Sequence, residues 1–337
     1  MTTKKNTSST KRAAKRVAKT VSKKTGADPK VVRQAISKEI AKRNLDKSLG
    51  YVSFQGILPL DLPDGTRIAV LPDIHVPAHD KLVMWAVKAF LKDYQPHILI
   101  FIGDVADVFA LSRWGRPPRV AADMQHELDE TRRLVDELMK ISGCIHCFYI
   151  MGNHEDRIMR YLKDPAPGVA NVLDFNTREP VMSFHGLMGY KEGDPVTFLY
   201  DLDERSGYGG AIVINNDMEF HHGYIVRPKP GASPRADADK TGRSVSHGHT
   251  HRTGMAVRDL GGRETLRAYE FGHLVDPTHP YLGYANILNN WHQAVGAGEI
   301  VGGKVHLQTL PVKSVMHLGK PRPTLVFAGK AYRASDR

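Results

Sequence analysis

The sequence predicts an α/β fold in which short buried strands alternate with helices. Three observations carry that expectation. From about Gly50, apolar runs of strand length are separated by helical segments. Polar motifs rich in His and Asp stand at or just after the ends of several of those runs. After His251 the pattern turns β-rich, with Gly-containing turns.

Taken in chain order, the first 50 residues read as a separate basic unit. They hold 15 Lys or Arg against 3 Asp or Glu, leaving 32 against 33 in the remaining chain, so the net charge of +11 is concentrated at the start. Asp28 is suited to cap a helix with Pro29 in its first turn, running to about Lys42 with Val31, Val32, Ala35, Ile36 and Ile40 on one face. A preceding helix over 10–23 and a turn at 25–27 would complete a helix-turn-helix outline. A solvated basic tail and an organellar transit peptide are the competing readings. Strands are expected at Arg67–Leu71, His97–Ile102, Ile145–Met151, Ala211–Ile214, Met218–His221 and Ser244–Ser246. Helices are expected at Lys81–Leu91 and Ala121–Ile141. Further strands follow at Arg263–Phe271, Ala294–Ile300 and Lys304–Leu310.

Composition excludes several classes. With 41% apolar and 25% charged residues, disorder over the full length is ruled out. The only cysteines, Cys144 and Cys147, lie in an apolar stretch, so neither a disulfide scaffold nor a thiolate zinc module is expected, and a reducing cytoplasm is the natural compartment. Apolar runs such as Ile98–Ile102 are far shorter than the roughly 20 residues that span a bilayer, and no membrane association is expected. The 17 histidines are the unusual feature.

Six of those histidines fall in a set of five motifs: Pro-Asp73-Ile-His75, Gly-Asp104-Val-Ala-Asp107, Gly-Asn153-His154-Glu155, His221-His222-Gly and Gly-His249-Thr-His251. In open α/β sheets, ligand-binding groups collect at the carboxyl edge, so distant motifs converge there. Asp73 and His75, like His249 and His251, are two residues apart, and an extended backbone would put each pair on one face to chelate an ion. Carboxylate, amide oxygen and imidazole without thiolate suit manganese, iron, zinc or nickel. Two ions about 3.5–4 Å apart would clamp both oxygens of a phosphoryl displacement.

The order and spelling of these motifs, from about Arg67 to Arg252, resemble the calcineurin-like metallophosphoesterases. That resemblance implies a four-layer α/β/β/α sandwich over 51–330, with the basic helical segment 1–50 added. It implies two divalent ions, manganese first among the candidates. Asp73, His75 and His251 would hold one ion, Asn153, His222 and His249 the other, and Asp104 would bridge them. Attack by a metal-bound hydroxide would then be completed by His154 as general acid, oriented by Asp107. His221 and His185 compete with His222 for the fourth motif, and Asp107 could instead cap a helix. Glu155 is expected to support ligands from behind or to cap. Arg157 and Arg252 flank the motifs and would contact a phosphate oxygen unless they are ordinary surface arginines. The string Arg227–Lys240 reads as a Pro- and Gly-rich loop whose cations would guide a polyanion.

Phosphoprotein phosphatases share the Gly-Asn-His-Glu string but carry GDxHG and GDxxDRG where this chain has Pro-Asp73-Ile-His75-Val-Pro and Gly-Asp104-Val-Ala-Asp107-Val-Phe. The basic start, the spelling Asp-Ile-His-Val-Pro and the late stretch Asn290-Trp291-His292-Gln293 instead resemble phage and prophage members with nuclease-like labels. A nuclease or phosphodiesterase held on nucleic acid by residues 1–50 is the leading expectation. The alternatives are a phosphomonoesterase and a DNA-binding protein with a vestigial site. The expected location is the cytoplasm of a bacterium, or of the host if the chain is phage-encoded.

Overall fold

The computed structural model describes residues 26–42, 53–113, 123–175, 180–191, 193–200, 210–262, 264–282 and 290–334. Helix α1 (Pro29–Lys42) precedes strands β1 (Ser53–Gln55), β2 (Ile57–Leu60) and β3 (Arg67–Leu71). Helix α2 (Lys81–Tyr94) leads to β4 (Ile98–Ile102), and α3 (Met124–Ser142) leads to β5 (His146–Ile150). Then come α4 (Asp156–Lys163), β6 (Val196–Tyr200), β7 (Ala211–Ile214), β8 (Met218–His221) and α5 (Ala232–Thr241). The chain closes with β9 (Ser244–His247), β10 (Thr253–Asp259), β11 (Thr265–Phe271), β12 (Ala294–Val301), β13 (Lys304–His317), β14 (Lys320–Phe327) and β15 (Lys330–Arg333).

Two sheets stack face to face. One has nine strands in the order β1-β6-β5-β4-β3-β12-β13-β14-β15, and the other has six in the order β10-β11-β9-β8-β7-β2. The central strands β3, β4 and β5 are five-residue runs buried on nearly every residue, because they face helices on one side and the other sheet on the opposite side. Val83, Val87, Phe90, Leu134 and Leu138 of α2 and α3 cover the outer face with Leu71, Leu99 and Tyr149. Ile68, Ile100, Phe148, Ile212, Phe220 and Phe271 fill the space between the sheets. Helix α5 covers the far face of the smaller sheet through Ala238 on Val245 and Ala268. The expected four-layer α/β/β/α sandwich is therefore present.

The early helices begin and end where side-chain chemistry dictates. Asp80 accepts from Leu82 N and Val83 N at the start of α2, and Asp123 accepts from His126 N at the start of α3. The left-handed Gln95 and Gly143 end them. In the last third, the pairs Gly302-Gly303, Leu318-Gly319 and Ala328-Gly329 all have positive φ, the two-residue turns that join twisted antiparallel strands.

Three expectations are corrected. The string Arg227–Lys240 is not all loop: Ala232–Thr241 is helical, because Pro234 falls in the first turn, where its missing N–H costs nothing, and small residues follow. Strand β13 continues past Leu310 to His317, and β14 and β15 follow it to Arg333. The helix after Asp28 does not stand apart from the following residues, since Val32 and Ile36 of α1 are buried in the inter-sheet core with Leu58, Leu60 and Ile145, and Ala27 N donates to Gly65 O. The first proposed helix, 10–23, lies outside the described residues, as does the boundary at 50. No helix among the described residues is long and apolar enough to cross a membrane.

Candidate dinuclear metal centre

The five motifs meet at the carboxyl edge of β3, β4, β5, β8 and β9. The extended backbone expected for the Asp-x-His and His-x-His pairs is not what unites them. Asp73, His75, Asp104, His249 and His251 all have φ between 40° and 64°, in the left-handed region that non-glycine residues avoid. The pairs share a side because each lies in a tight loop just past a strand, and both members of each pair turn back toward the sheet edge. Gly152 and Gly248 admit that crowding, since a Cβ on either would overlap a carboxylate oxygen, of Asp104 and Asp73 respectively.

Two groups of ligand-type atoms result. In one, His251 Nε2 lies 3.2 Å from Asp73 Oδ1 and 3.1 Å from His75 Nε2. In the other, His222 Nε2 lies 3.3 Å from Asp104 Oδ2 and 3.1 Å from Asn153 Oδ1, and His249 Nδ1 is 2.8 Å from the same Asn153 oxygen. Asp104 Oδ2 stands between the groups, 3.8 Å from Nε2 of both His75 and His154. Among the described residues, the sets Asp73-His75-His251, Asp104-His222-His249 and His75-Asp107-His154 each have the spacing to hold a metal ion, and the first two hold the ligands expected from the sequence.

The chemistry of the donors fits cations there. His222 Nδ1 donates to Ile102 O at 2.9 Å, so the lone pair of a neutral His222 faces two oxygen acceptors. His75 Nδ1 faces Asp107 Oδ2 at 3.2 Å, which directs the His75 Nε2 lone pair at His251 Nε2. A cation between these atoms would convert facing acceptors into shared ligands. The carboxylates draw positive charge to the cluster, and a protonated His222 is one way to supply it. Burial opposes a charge on His222, but Asp104 outweighs it and holds the imidazole up at about 9. Burial pushes Asp73 up to about 7 and pulls His249 down to about 3.

His154 is placed differently. Its Nδ1 donates to the Asp107 carbonyl at 2.9 Å, while Arg157 Nη2 reaches Nε2 at 3.1 Å. Arg157 Nη1 also bonds the Asp107 carbonyl at 2.7 Å and carboxylate at 3.1 Å. The Asp107 side chain, expected to orient His154, thus lies closer to His75, and the backbone of Asp107 holds His154. Arg252 is held by the Arg227 carbonyl.

Two residues do more than their spelling announced. Glu155 accepts five hydrogen bonds, from the backbone N–H groups of Asp104, Val105, Ala106 and Gly152 and from the Tyr149 hydroxyl, and so locks two ligand loops together. Trp291 sets its ring edge against the His251 ring, with centroids 4.3 Å apart. His221, adjacent to His222, faces away toward Asp237 of α5, with Nε2 3.9 Å from Oδ2. His185 packs beside Phe198 and belongs to neither group.

Paired sheets with histidine and carboxylate loops along one edge, and one carboxylate shared between two ligand groups, define the class of metal-dependent phosphoesterases. The sequence profile of the calcineurin-like phosphoesterases matches residues 66–276, and the chain belongs to that family. It is similar to the Gene 54 proteins of Mycobacterium phages D29 and L5, at 27% and 24% identity, each comparison covering 73% of this chain and 93% of the relative. The expected likeness to phage members is therefore present. Among solved structures, Vps29 of Chaetomium thermophilum is similar at 11% identity, with a TM-score of 0.40, over 80% of this chain and all of that one.

Proposed function

We propose that this phosphoesterase hydrolyses phosphodiester bonds in nucleic acid, with one divalent ion on Asp73, His75 and His251, a second on Asn153, His222 and His249, and Asp104 shared. The observation that carries the reading is the position of Asp104 Oδ2, within 3.8 Å of Nε2 of His75, His154 and His222. Two bound ions supply Lewis-acid polarisation of the phosphoryl group and a nucleophile at neutral pH. The chain's own residues do the rest. Asp107 holds the His75 imidazole with its lone pair inward. His154, anchored through Nδ1, would deliver a proton from Nε2 to the departing oxygen as the imidazolium, a form that burial opposes but the Asp104 and Asp107 carboxylates favour, and in which Nε2 no longer accepts from Arg157.

Arg157 is engaged by Asp107 and His154, whereas Arg252 donates to Arg227 O and keeps an Nε unpartnered among the described residues, so the arginines do not separate a diester from a monoester and the preference for a diester rests on charge. The charge of residues 1–50 favours a polyanion, which it would hold through counterion release.

The test compares manganese-dependent turnover of a chromogenic diester, the matching monoester, single-stranded DNA and duplex DNA. Diester and DNA should be cleaved well above the monoester. A monoester cleaved faster than both would replace this reading with a phosphatase.

A further inference from the structure

The C-terminal strands carry a cationic face that overall charge arithmetic conceals. No Asp or Glu occurs between Glu299 and Asp336, and the six cations in that interval are Lys304, which pairs with Asp217, Lys330, which pairs with Asp93, and Lys313, Lys320, Arg322 and Arg333. Cross-strand partners share a face. The pairs Val312↔Leu325 and Leu325↔Tyr332 turn inward, with all three residues buried in the core that α2 covers. The alternate set, Lys313↔Thr324↔Arg333, Val315↔Arg322 and His317↔Lys320, therefore faces the other way. Lys313 and Lys320 on that face are exposed.

Register shows where this face lies. Gly296 of β12 pairs with Val70 near the carboxyl end of β3, and Ala294 pairs with Pro311 of β13. Beyond Pro311, β13 thus runs past the edge that bears Asp73. Six residues, Val312 to His317, carry it about 20 Å farther at strand rise. The link back to the metal centre is continuous. Val312 N donates to Gln293 O at 2.8 Å, His292 N donates to His251 O at 2.9 Å, and the half-buried Trp291 meets the His251 ring.

We propose that the β13–β14 arm and Trp291 form a track for a nucleic-acid strand leading away from the metal centre. Phosphates lie along Lys313 and Lys320, and a base stacks near Trp291. The inference rests on the nucleic-acid reading above and adds where the strand runs. Stacking on an aromatic ring beside a cationic path is how proteins hold single strands without reading sequence. At the roughly 3.4 Å rise of a strand that keeps duplex-like stacking, an arm of about 20 Å accommodates up to about six nucleotides.

The test uses the full chain with manganese and single-stranded oligonucleotides of two to fifteen nucleotides, comparing K313Q/K320Q with K92Q/K140Q. The second pair removes the same charge from the exposed Lys92 and Lys140, near the ends of α2 and α3. Wild type should gain affinity as length passes roughly six nucleotides. In K313Q/K320Q that gain should be lost, KM for the long oligonucleotide should rise about tenfold, and the salt slope should shrink by roughly 0.7 per lost contact. Turnover of a chromogenic diester should not change in either variant.

Wild type that neither binds nor cleaves any oligonucleotide overturns both readings. Cleavage with equal KM in both double variants overturns the track alone, as does a matching loss of chromogenic turnover in K313Q/K320Q. Anionic vesicles are a further arm, because Met316 and Leu318 at the tip are exposed. Vesicle binding that needs Lys313 and Lys320, with oligonucleotide KM unchanged, would assign the arm to a membrane surface instead.

Discussion

The carboxylate of Asp107 lies 3.2 Å from Nδ1 of His75, while the carbonyl of the same residue accepts from His154 Nδ1 at 2.9 Å. One residue thus sets the ring orientation of a proposed ligand through its side chain and that of the proposed acid through its backbone. Asp107→Asn should lower metal affinity about 10–100-fold, with activity partly restored by excess manganese. His154→Ala should keep its metal and lose about 10²–10⁴-fold in rate on a natural diester, and less on an activated aryl diester. Metal titration beside turnover on both substrates separates the two; loss of metal in His154→Ala would make His154 a ligand.

Asp104 should be the least replaceable side chain, because its Oδ2 faces both ligand groups. In Asp104→Ala, metal content and activity should fall together. Elemental analysis finding two tightly held ions in an active variant would refute its bridging role.

His221 and His222 should behave oppositely despite their adjacency. His222→Ala removes a nitrogen 3.3 Å from Asp104 and should abolish activity and weaken one metal site. His221→Ala touches the Asp237 side of the sheet and should leave metal content near wild type. The reverse ranking would move the fourth motif by one residue.

Truncation should separate the basic start from the core. Deleting residues 1–26 should weaken DNA binding and flatten its salt dependence while small-substrate turnover persists. Deleting residues 1–50 also strips Val32 and Ile36 from the inter-sheet core, and Ile36→Ala alone should cost about 2–4 kcal/mol in denaturant unfolding. Equal stability of the two truncations would mean that α1 adds nothing to the core.

His146 should make the fold acid-sensitive. Burial, with help from Arg33, pulls its imidazole down to about 4, so the unfolded chain binds a proton there that the folded chain refuses. The sign follows: stability is lost as pH falls from about 6.5 toward 4, by ~2 kcal/mol at pH 5 for this group. His146→Gln, which can keep a bond to the Thr197 hydroxyl now 2.7 Å away, should show a smaller drop in Tm between pH 7.5 and 5. An identical drop would exclude His146 from that sensitivity.

Much of this protein was legible along the chain. The buried runs of β3, β4 and β5, the caps at Asp80 and Asp123 and the helix after Asp28 are local matters of side-chain type and spacing. Their bounds shifted by only a few residues. The motif residues of the site were legible too, because His and Asp beside Gly after an apolar run have few structural uses.

Only the tertiary structure decided how those residues face one another. The left-handed φ of Asp73, His75 and His251 and the division of Asp107 between two histidines depend on loops packed against each other, not on neighbours in sequence. The five hydrogen bonds gathered by Glu155 come from residues up to 51 positions away. The same holds for α1, whose charge reads as a free tail until Val32 and Ile36 find the gap between the sheets, and for the β13–β14 arm, whose cations share a face only once strand register is set. Periodicity is a local property of the chain; pairing and burial across the fold are not, since they follow from contacts between distant segments.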